Sequence, residues 1–140
     1  MKKTIALLLT FVLMFASLSV FAADIKVNVN GEAVAFDVQP ENTDTAVLIP
    51  LRFVLEKMGA IISWHGETKT VFADFNGKVS TLQIGNELLF LEEGSVALSA
   101  VPVIKDGRTL VPMDVINHAT GATVIFDAAN NTVNITSVAE

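Results

Sequence analysis

Few side chains in this 140-residue chain have the chemistry of a catalytic or metal site, and they are far apart. The chain has two histidines, His65 and His118, and neither cysteine nor tyrosine. Two imidazoles fall short of the three or four ligands that a zinc or copper site needs. The lack of cysteine excludes thiolate metal sites, cysteine nucleophiles and disulfides. We therefore expect no metal and no other cofactor.

Carboxylates are the remaining candidates for catalysis, as a general acid and base. Glu92 and Glu93 precede a glycine and are expected at a solvated turn, and Asp74 alternates toward solvent on its strand. The chain contains neither Ser–His–Asp spacing nor a G-x-S-x-G elbow. These observations favour a protein without catalytic residues. Acid–base chemistry in a cleft that the sequence does not reveal is the alternative.

Arg52 and Arg108 are the two arginines of the chain. A guanidinium binds carboxylates in a bidentate way, so we interpret each arginine as an ion-pairing or loop-anchoring group, with a ligand contact as the alternative. Met58 and Met113 fall on the apolar faces of expected helices. They are interpreted as core residues and not as copper ligands.

The first residues have the pattern of a secretory signal. Two lysines precede the apolar run 5–20, and small residues follow around Ala22. We expect a signal peptide at 1–22, with cleavage after Ala22 and Ala23 as the second choice. A retained membrane anchor is the alternative, but a run of 16 residues is short for a span. The expected mature chain, 23–140, is a single secreted or envelope-associated domain without a membrane span.

The mature chain is acidic. The signal segment contains two lysines and no acid, so its removal moves the formal net charge from −6 to −8. Binding to nucleic acid relies on Lys and Arg neutralising phosphates, which argues against a nucleic-acid partner.

One pattern occurs twice in the chain, sixty-two positions apart. Val47–Gly59 and Arg108–Gly121 each bring an apolar extended run to a proline, continue for about two helical turns and stop at Gly-Ala. The matching positions are Pro40 and Pro102, Asp44 and Asp106, Pro50 and Pro112, Gly59 and Gly121, Ala60 and Ala122, Trp64 and Phe126, and Val71 and Val133. The sequence therefore predicts two copies of one unit, at about 25–85 and 87–138.

Each copy predicts one short helix. Pro50 suits the first helical position, and an apolar stripe follows at Leu51, Val54, Leu55 and Met58 before Gly59 ends the helix. In the second copy Asn117 and Thr120 replace the last two apolar residues of the stripe. We expect that helix to be shorter or less buried.

Turn pairs at Asn30-Gly31, Asn76-Gly77 and Asp106-Gly107 separate short alternating strands. The first hairpin is expected to return over Ala33–Val38. The predicted fold class is α+β: an antiparallel β meander of hairpins with two short helices packed on the sheet. The two copies are expected to share one core with approximate twofold symmetry, because each copy alone is too small to fold. The expected aromatic anchors of that core are Phe36, Phe53, Trp64, Phe72, Phe90 and Phe126.

The repeat resembles a known family. Residues 102–113 (P-V-I-K-D-G-R-T-L-V-P-M) and 51–71 (L-R-F-V-L-E-K-M-G-A-I-I-S-W-H-G-E-T-K-T-V) are similar to the copper amine oxidase N-terminal domain-like family. Members are also called stalk domains, and they occur in exported proteins of Gram-positive bacteria. The structural motif carried over comprises Pro50, Gly59, Trp64, Arg108, Pro112, Gly121 and Phe126. The first copy lacks an equivalent of Arg108.

The resemblance does not imply oxidase activity. In copper amine oxidases the reaction takes place in another domain, where three histidines hold copper and a modified tyrosine is the cofactor. This chain has two histidines and no tyrosine. The resemblance implies a non-catalytic stalk or accessory domain.

We therefore expect an exported structural or binding module at the cell envelope, with an envelope or extracellular protein or glycan as its partner. The alternative is an extracellular protein–protein regulatory module, such as an enzyme inhibitor or docking domain. An exposed apolar patch along one sheet edge, or beside the loop Gln39–Thr45, would favour that alternative.

Overall fold

A computed structural model describes residues 24–138, so the expected signal segment and its cleavage position lie outside the described residues. The strands are β1 Lys26–Val29, β2 Glu32–Ala33, β3 Glu41–Asn42, β4 Val47–Pro50, β5 Ile61–His65, β6 Thr70–Phe75, β7 Lys78–Gln83, β8 Leu88–Leu91, β9 Gly94–Ala97, β10 Val103–Lys105, β11 Arg108–Pro112, β12 Thr123–Asp127 and β13 Thr132–Thr136. The helices are α1 Leu51–Lys57 and α2 Asp114–Thr120. Within residues 24–138, neither helix is long and apolar enough to cross a membrane.

The strands form three sheets, in the orders β12-β13-β1-β2, β10-β11-β4-β3 and β5-β6-β7-β8-β9. The α+β fold class, with mostly antiparallel strands and two short helices, is as predicted. The expectation of a purely antiparallel meander is wrong, because β1 pairs parallel with β13, with Val27 opposite Val133. A parallel pair cannot be joined by a tight turn, so no local sequence signal marks it.

The predicted turn pairs form the expected hairpins. Asn30-Gly31, Asn76-Gly77 and Asp106-Gly107 all have positive φ angles, between 49° and 85°. These pairs join β1 to β2, β6 to β7 and β10 to β11, which are antiparallel. Two consecutive residues of positive φ match the twist of adjoining strands, which explains why these short loops occur here.

The return strand expected at Ala33–Val38 is much shorter in the structure. It pairs only over Glu32–Ala33, and the chain then leaves the sheet. Val38 packs in a small cluster with Leu48 and Leu110, and Phe36 packs against Phe53 of α1. Burial of these side chains competes with continued pairing, and the expectation of a long strand was wrong for that reason.

Helix α1 begins one residue later than expected. Pro50 ends β4 and occupies the N-cap with an extended ψ of 116°, and Leu51 is the first helical residue. Leu51, Val54 and Leu55 of the predicted stripe are buried, while Met58 is half-buried. Gly59, with a φ of 95°, follows the helix.

Helix α2 is neither shorter nor less buried than α1, contrary to expectation. Both helices have seven residues, and α2 buries Val115, Ile116 and Ala119. The two polar replacements cap the helix end instead of weakening it. Asn117 Nδ2 donates to the carbonyl of Ala122 at 2.7 Å, and Thr120 Oγ1 both donates to Ile116 and accepts from the N–H of Ala122.

Residues from both predicted copies contribute to one hydrophobic cluster. Its largest fully buried side chains are aliphatic, among them Ile49, Leu55, Leu82, Leu89, Ile116 and Ile135. The expected aromatic anchors are only partly confirmed. Phe36 and Phe126 are half-buried against the cluster, and Phe53 is half-buried beside Phe36.

The expectation is wrong for the other three aromatic anchors. Trp64, Phe72 and Phe90 are 45%, 40% and 44% exposed. Phe72 and Phe90 lie on the solvent side of their strands, because Val71, Ala73 and Leu89 occupy the core side. Side chains alternate between the faces of a sheet, so neighbours of a buried residue must point outward.

The two predicted copies meet where β4 pairs antiparallel with β11. Ile49 lies opposite Val111, and each proline of the repeat lies opposite a leucine: Pro50 opposite Leu110 and Pro112 opposite Leu48. Ile49 and Val111 have no exposed surface. This pairing places the entry points of both helices next to each other.

Candidate functional site

Arg108 connects three parts of the fold. Its Nε lies 3.1 Å from both carboxylate oxygens of Asp37, and its Nη2 lies 2.6 Å from Oδ2. The guanidinium carbon lies 5.0 Å from the ring centre of Phe53, which in turn meets Phe36 edge-to-face at 5.8 Å. Arg108 thereby ties the segment after β2 to β11 and α1. This geometry is that of an anchoring ion pair combined with a cation–π contact.

The electrostatics of this pair are those of a charge-assisted hydrogen bond. The hydrogen bond from Arg108, with the charge of its guanidinium, lowers the pKa of Asp37 below its ordinary value. The same contacts raise the pKa of Arg108. Both side chains remain partly exposed, so solvent screens the interaction.

A groove of about 370 Å³ opens beside Trp64, which we call the Trp64 groove. It lies between β5, the start of α1 and the β10–β11 hairpin. Its walls are Leu51, Arg52, Ile62, Trp64, Val71, Ile104, Gly107, Arg108 and Thr109. The groove is largely apolar, and it has both arginines of the chain in its lining. Its size falls in the range of small-ligand and side-chain pockets.

The structure separates the two histidines by element. His65 ends β5, and its Nδ1 lies 3.0 Å from Thr68 Oγ1 in the following turn. His118 lies in the last turn of α2 and is exposed. Residues 24–138 contain no group of three or more His, Asp or Glu side chains that could hold a metal ion.

A second cleft, of about 340 Å³, brings His118 into one lining with Glu92 and Glu93 from the β8–β9 turn. No pattern in the sequence indicates that these residues lie together. All three side chains are exposed, and the hydrogen bonds described for residues 24–138 include none between the histidine and either glutamate. The cleft contains Ser80 but no nucleophile–base pair in hydrogen-bond contact. Its geometry therefore gives no specific reaction.

Three further aspartates accept hydrogen bonds that support turns and loops. Asp74 Oδ1 accepts from the N–H of Gly77 at 2.9 Å. Asp127 accepts from the side chain of Asn130 at 2.7 Å, and this hydrogen bond is the main cause of its lowered pKa. Asp114 accepts from the N–H and the hydroxyl of Ser99, both at 3.0 Å. Sequence reasoning missed this last contact, because the partners come from elements without a local pairing signal.

The predicted motif residues lie at the ends of the two helices and on the strands before and after them. Pro50 and Pro112 end the strands before the helices, and Gly59 and Gly121 follow them with φ angles of 95° and 77°. Phe126 is half-buried against the core, whereas Trp64 is part of the Trp64 groove. The motif residues therefore do not converge on one site; Trp64 and Arg108 are the pair that meets in one cavity.

The side of the five-stranded sheet that points away from the core, here called the outer face, exposes two phenylalanines and two aliphatic side chains. One row crosses all five strands: Ser63, Phe72, Thr81, Phe90 and Ser95. Ile61 and Val79, which lie on either side of Asp74 in the neighbouring row, are 68% and 40% exposed. One strand, β7, lies between the two phenylalanines, so they are two inter-strand spacings apart, about 9.5 Å.

The sequence contained a signal for this face that the aromatic-anchor prediction did not use. Phe72 and Asp74 are two residues apart on one strand, so they share a face. Asp74 was predicted to point to solvent, and alternation requires the side chain of Phe72 to point to solvent as well. The exposed patch lies on a sheet face that ends at the β5 edge.

Comparisons with known proteins relate the chain to one family. The sequence model of the copper amine oxidase N-terminal domain matches residues 28–135. A protein named protease inhibitor from Brevibacillus choshinensis is similar to the chain, with 28% identity over 101 residues. That similarity covers 72% of this chain and 31% of the relative, so the chain spans about a third of that protein's length.

Proposed function

Because the chain belongs to the copper amine oxidase N-terminal domain family, we propose that it is an exported binding module that acts outside the cell membrane. The family is the non-catalytic N-terminal part of copper amine oxidases. The proposed role is therefore binding and not reaction. The partner in this proposal is an extracellular or envelope-associated protein, with a wall glycan as the other outcome of the test.

The outer face of the five-stranded sheet is the observation that carries this proposal. It exposes Phe72, Phe90, Val79 and Ile61, and Asp74 is the acid within its rows. The rest of the chain is rich in acids. The cores of protein interfaces are depleted of charge and enriched in aromatic residues, and this face has both properties. Burial of two such phenylalanines supplies the favourable free energy.

A capture experiment tests the proposal. The immobilised mature domain is exposed to culture medium and to envelope fractions, next to the double variant Phe72→Ser/Phe90→Ser. Ile125→Ser is the matched control, because Ile125 is 59% exposed but lies on β12 in another sheet. We expect the control to retain the partner and the double variant to lose it. Equal retention by all three proteins would show that the outer face does not bind the partner.

Export is part of the proposal and has its own test. The pattern at 1–22 supports a signal peptide, and we expect protein isolated from the medium or envelope to begin at Ala23. N-terminal sequencing of the protein produced in a Gram-positive host distinguishes the outcomes. A product that keeps residues 1–22 in the membrane fraction would support the anchor alternative instead.

We also propose that the two copies are related by an approximate twofold axis near Ile49 and Val111. Equivalent positions support this relation, because Leu48 pairs with Pro112 and Leu110 with Pro50. One strand pairing departs from this symmetry. β13 and β6 match in the repeat, but β13 pairs parallel with β1, whereas β6 pairs antiparallel with β7. Superposition of the two halves in an experimental structure would test the relation: α1 must fall on α2 when Ile49 falls on Val111.

A second candidate function is the regulation of an extracellular protease. The name of the Brevibacillus choshinensis relative favours it, and strand edges and exposed aromatic residues suit protein–protein contact. Residual activity of a panel of serine, cysteine, aspartic and metalloproteases, measured at equimolar domain, provides the test. Stoichiometric inhibition of one class would establish this function, and full activity of every class would exclude it for this panel.

A further inference from the structure

Within residues 24–138, the edge of β5 that faces away from β6 pairs with no strand, and it lies beside the Trp64 groove. β5 is the terminal strand of its sheet and pairs with β6 on one side. The carbonyl of Ile62 accepts from Arg52 Nη2 at 3.5 Å, so it points away from β6. Backbone groups alternate in direction along an antiparallel strand. The N–H and C=O groups of Ile62 and Trp64 therefore point outward, where a further strand would pair with them.

The side chains of the same two residues line the groove. Ile62 and Trp64 lie opposite Ala73 and Val71, on the core side of the sheet. Side chains of adjacent strands alternate in step, so a strand beside β5 would direct every second side chain toward this side. The groove of about 370 Å³ gives one bulky apolar side chain a place to bind.

The charge of the groove wall indicates which kind of peptide segment would bind there. Both arginines line the groove, while the mature chain has an excess of acids. The hydrogen bonds of Arg108 to Asp37 use Nε and Nη2, so the two N–H groups of Nη1 are not used by that pair. Asp37 and Phe53 hold the guanidinium in place, which reduces the entropy lost when a ligand binds. A carboxylate next to the apolar side chain complements this wall.

We propose that an extended peptide segment adds to β5 as a sixth strand, with a bulky apolar side chain in the Trp64 groove and a carboxylate at Arg108. The groove and the outer face lie on opposite sides of the sheet, so this site is additional to the surface in the proposed function. A second copy of the chain that pairs through the same strand does not meet the requirement. Its own β5, I-I-S-W-H, contains no carboxylate to place at Arg108.

Trp64 makes the proposal directly measurable. It is the single tryptophan, and the chain has no tyrosine, so emission of the folded protein under selective excitation comes from the groove. A displayed library of random seven-residue linear peptides is selected on the whole mature protein. We expect enriched peptides to alternate apolar and polar residues, to contain Asp or Glu, and to shift the emission of Trp64 to shorter wavelength on titration.

Backbone methylation of a selected peptide tests strand addition without altering the protein. N-methylation at every second residue, on the side that faces β5, is expected to weaken binding at least tenfold. Methylation at the intervening residues should leave affinity within about twofold, because those N–H groups point to solvent. A peptide that tolerates methylation at every position would overturn the proposal.

A protein variant gives an independent test. Ile62→Pro removes the outward N–H but none of the ladder bonds to β6, and proline is tolerated on edge strands. We expect it to bind the peptide at least tenfold more weakly, whereas Ile125→Ser, on β12 in another sheet, binds as the unmodified protein does. Thermal unfolding confirms that each variant folds. Binding that leaves the emission of Trp64 unchanged, or selected peptides that contain no acid, would contradict the site.

Discussion

Arg108 is the residue through which the segment after β2, strand β11 and helix α1 are joined. Its contacts to Asp37 and Phe53 position one wall of the Trp64 groove. The sequence predicted an anchoring role for this arginine from its chemistry alone. It did not predict the partner, because Asp37 lies seventy-one positions away and in a segment expected to be a strand.

Replacement of Asp37 by asparagine should lower stability in a pH-dependent way. The pKa of Asp37 is lower in the folded protein than its ordinary value of 3.8, so the folded state favours the carboxylate. Its stabilisation is therefore complete above the ordinary pKa and is lost as the pH falls through the lower folded value. We expect denaturant unfolding to show Asp37→Asn as less stable than the parent at pH 7, with the difference vanishing in strong acid.

The control for this experiment is Asp44→Asn, which removes the same charge from an exposed turn. Asp44 makes none of the ion pairs described for residues 24–138. A stability difference for Asp37→Asn that is independent of pH, or equal to that of Asp44→Asn, would mean that the pair with Arg108 contributes nothing.

Gly121 should be sensitive to substitution through its backbone. Its φ of 77° is left-handed, and an added Cβ would meet only Val138 Cγ2, at an ordinary 3.6 Å. Strain alone then predicts that Gly121→Ala costs about 1 kcal/mol of unfolding free energy. Gly66→Ala is the matched control, since Gly66 does not have a left-handed φ. Denaturant titration of both variants should give a clearly larger loss at Gly121.

At the scale of elements, the best predicted features are those with local causes. The Asn-Gly and Asp-Gly turns and the helix after each proline lie where the sequence placed them. Features that depend on distant packing were missed. The parallel β1–β13 pair and the short β2 are set by partners far along the chain.

The outer face and the Trp64 groove were likewise predictable only where their cause is local. Strand alternation predicts that Phe72 points to solvent, because Asp74 is two residues away on the same strand and was predicted to point to solvent. Nothing local indicates that Trp64 and Arg108, forty-four positions apart, line one cavity. The repeat suggested that Trp64 would be buried as Phe126 is, but β5 is a sheet edge and leaves Trp64 half open.

The hydroxyl of Thr120 caps the end of α2. Thr120 Oγ1 bonds the carbonyl of Ile116 at 2.6 Å and the N–H of Ala122 at 3.1 Å. Thr120→Val keeps the shape and removes both hydrogen bonds, and should cost about 1 kcal/mol. The same change at Thr123, exposed on β12, should stay within about 0.5 kcal/mol. Equal effects in thermal unfolding would mean that the hydroxyl does not cap the helix.

For the whole molecule, the shared core predicts cooperative folding. Leu55 of the first copy and Ile116 of the second are fully buried in one cluster. Leu55→Ala should therefore lower unfolding free energy by about 3 kcal/mol and reduce hydrogen-exchange protection in α2 as well as α1. Ile125→Ala, at an exposed apolar position, is the control. A loss of protection confined to the first copy would show two independently folding halves.

Binding of a partner through the outer face would bury apolar surface, and the heat-capacity change of binding reports that burial. Titration calorimetry of the captured partner, repeated at several temperatures, measures it. Burial of the apolar face predicts a clearly negative heat-capacity change, which shrinks in Phe72→Ser/Phe90→Ser and is unchanged in Ile125→Ser. A heat-capacity change near zero for the parent, or the same value in the double variant, would contradict binding through the outer face.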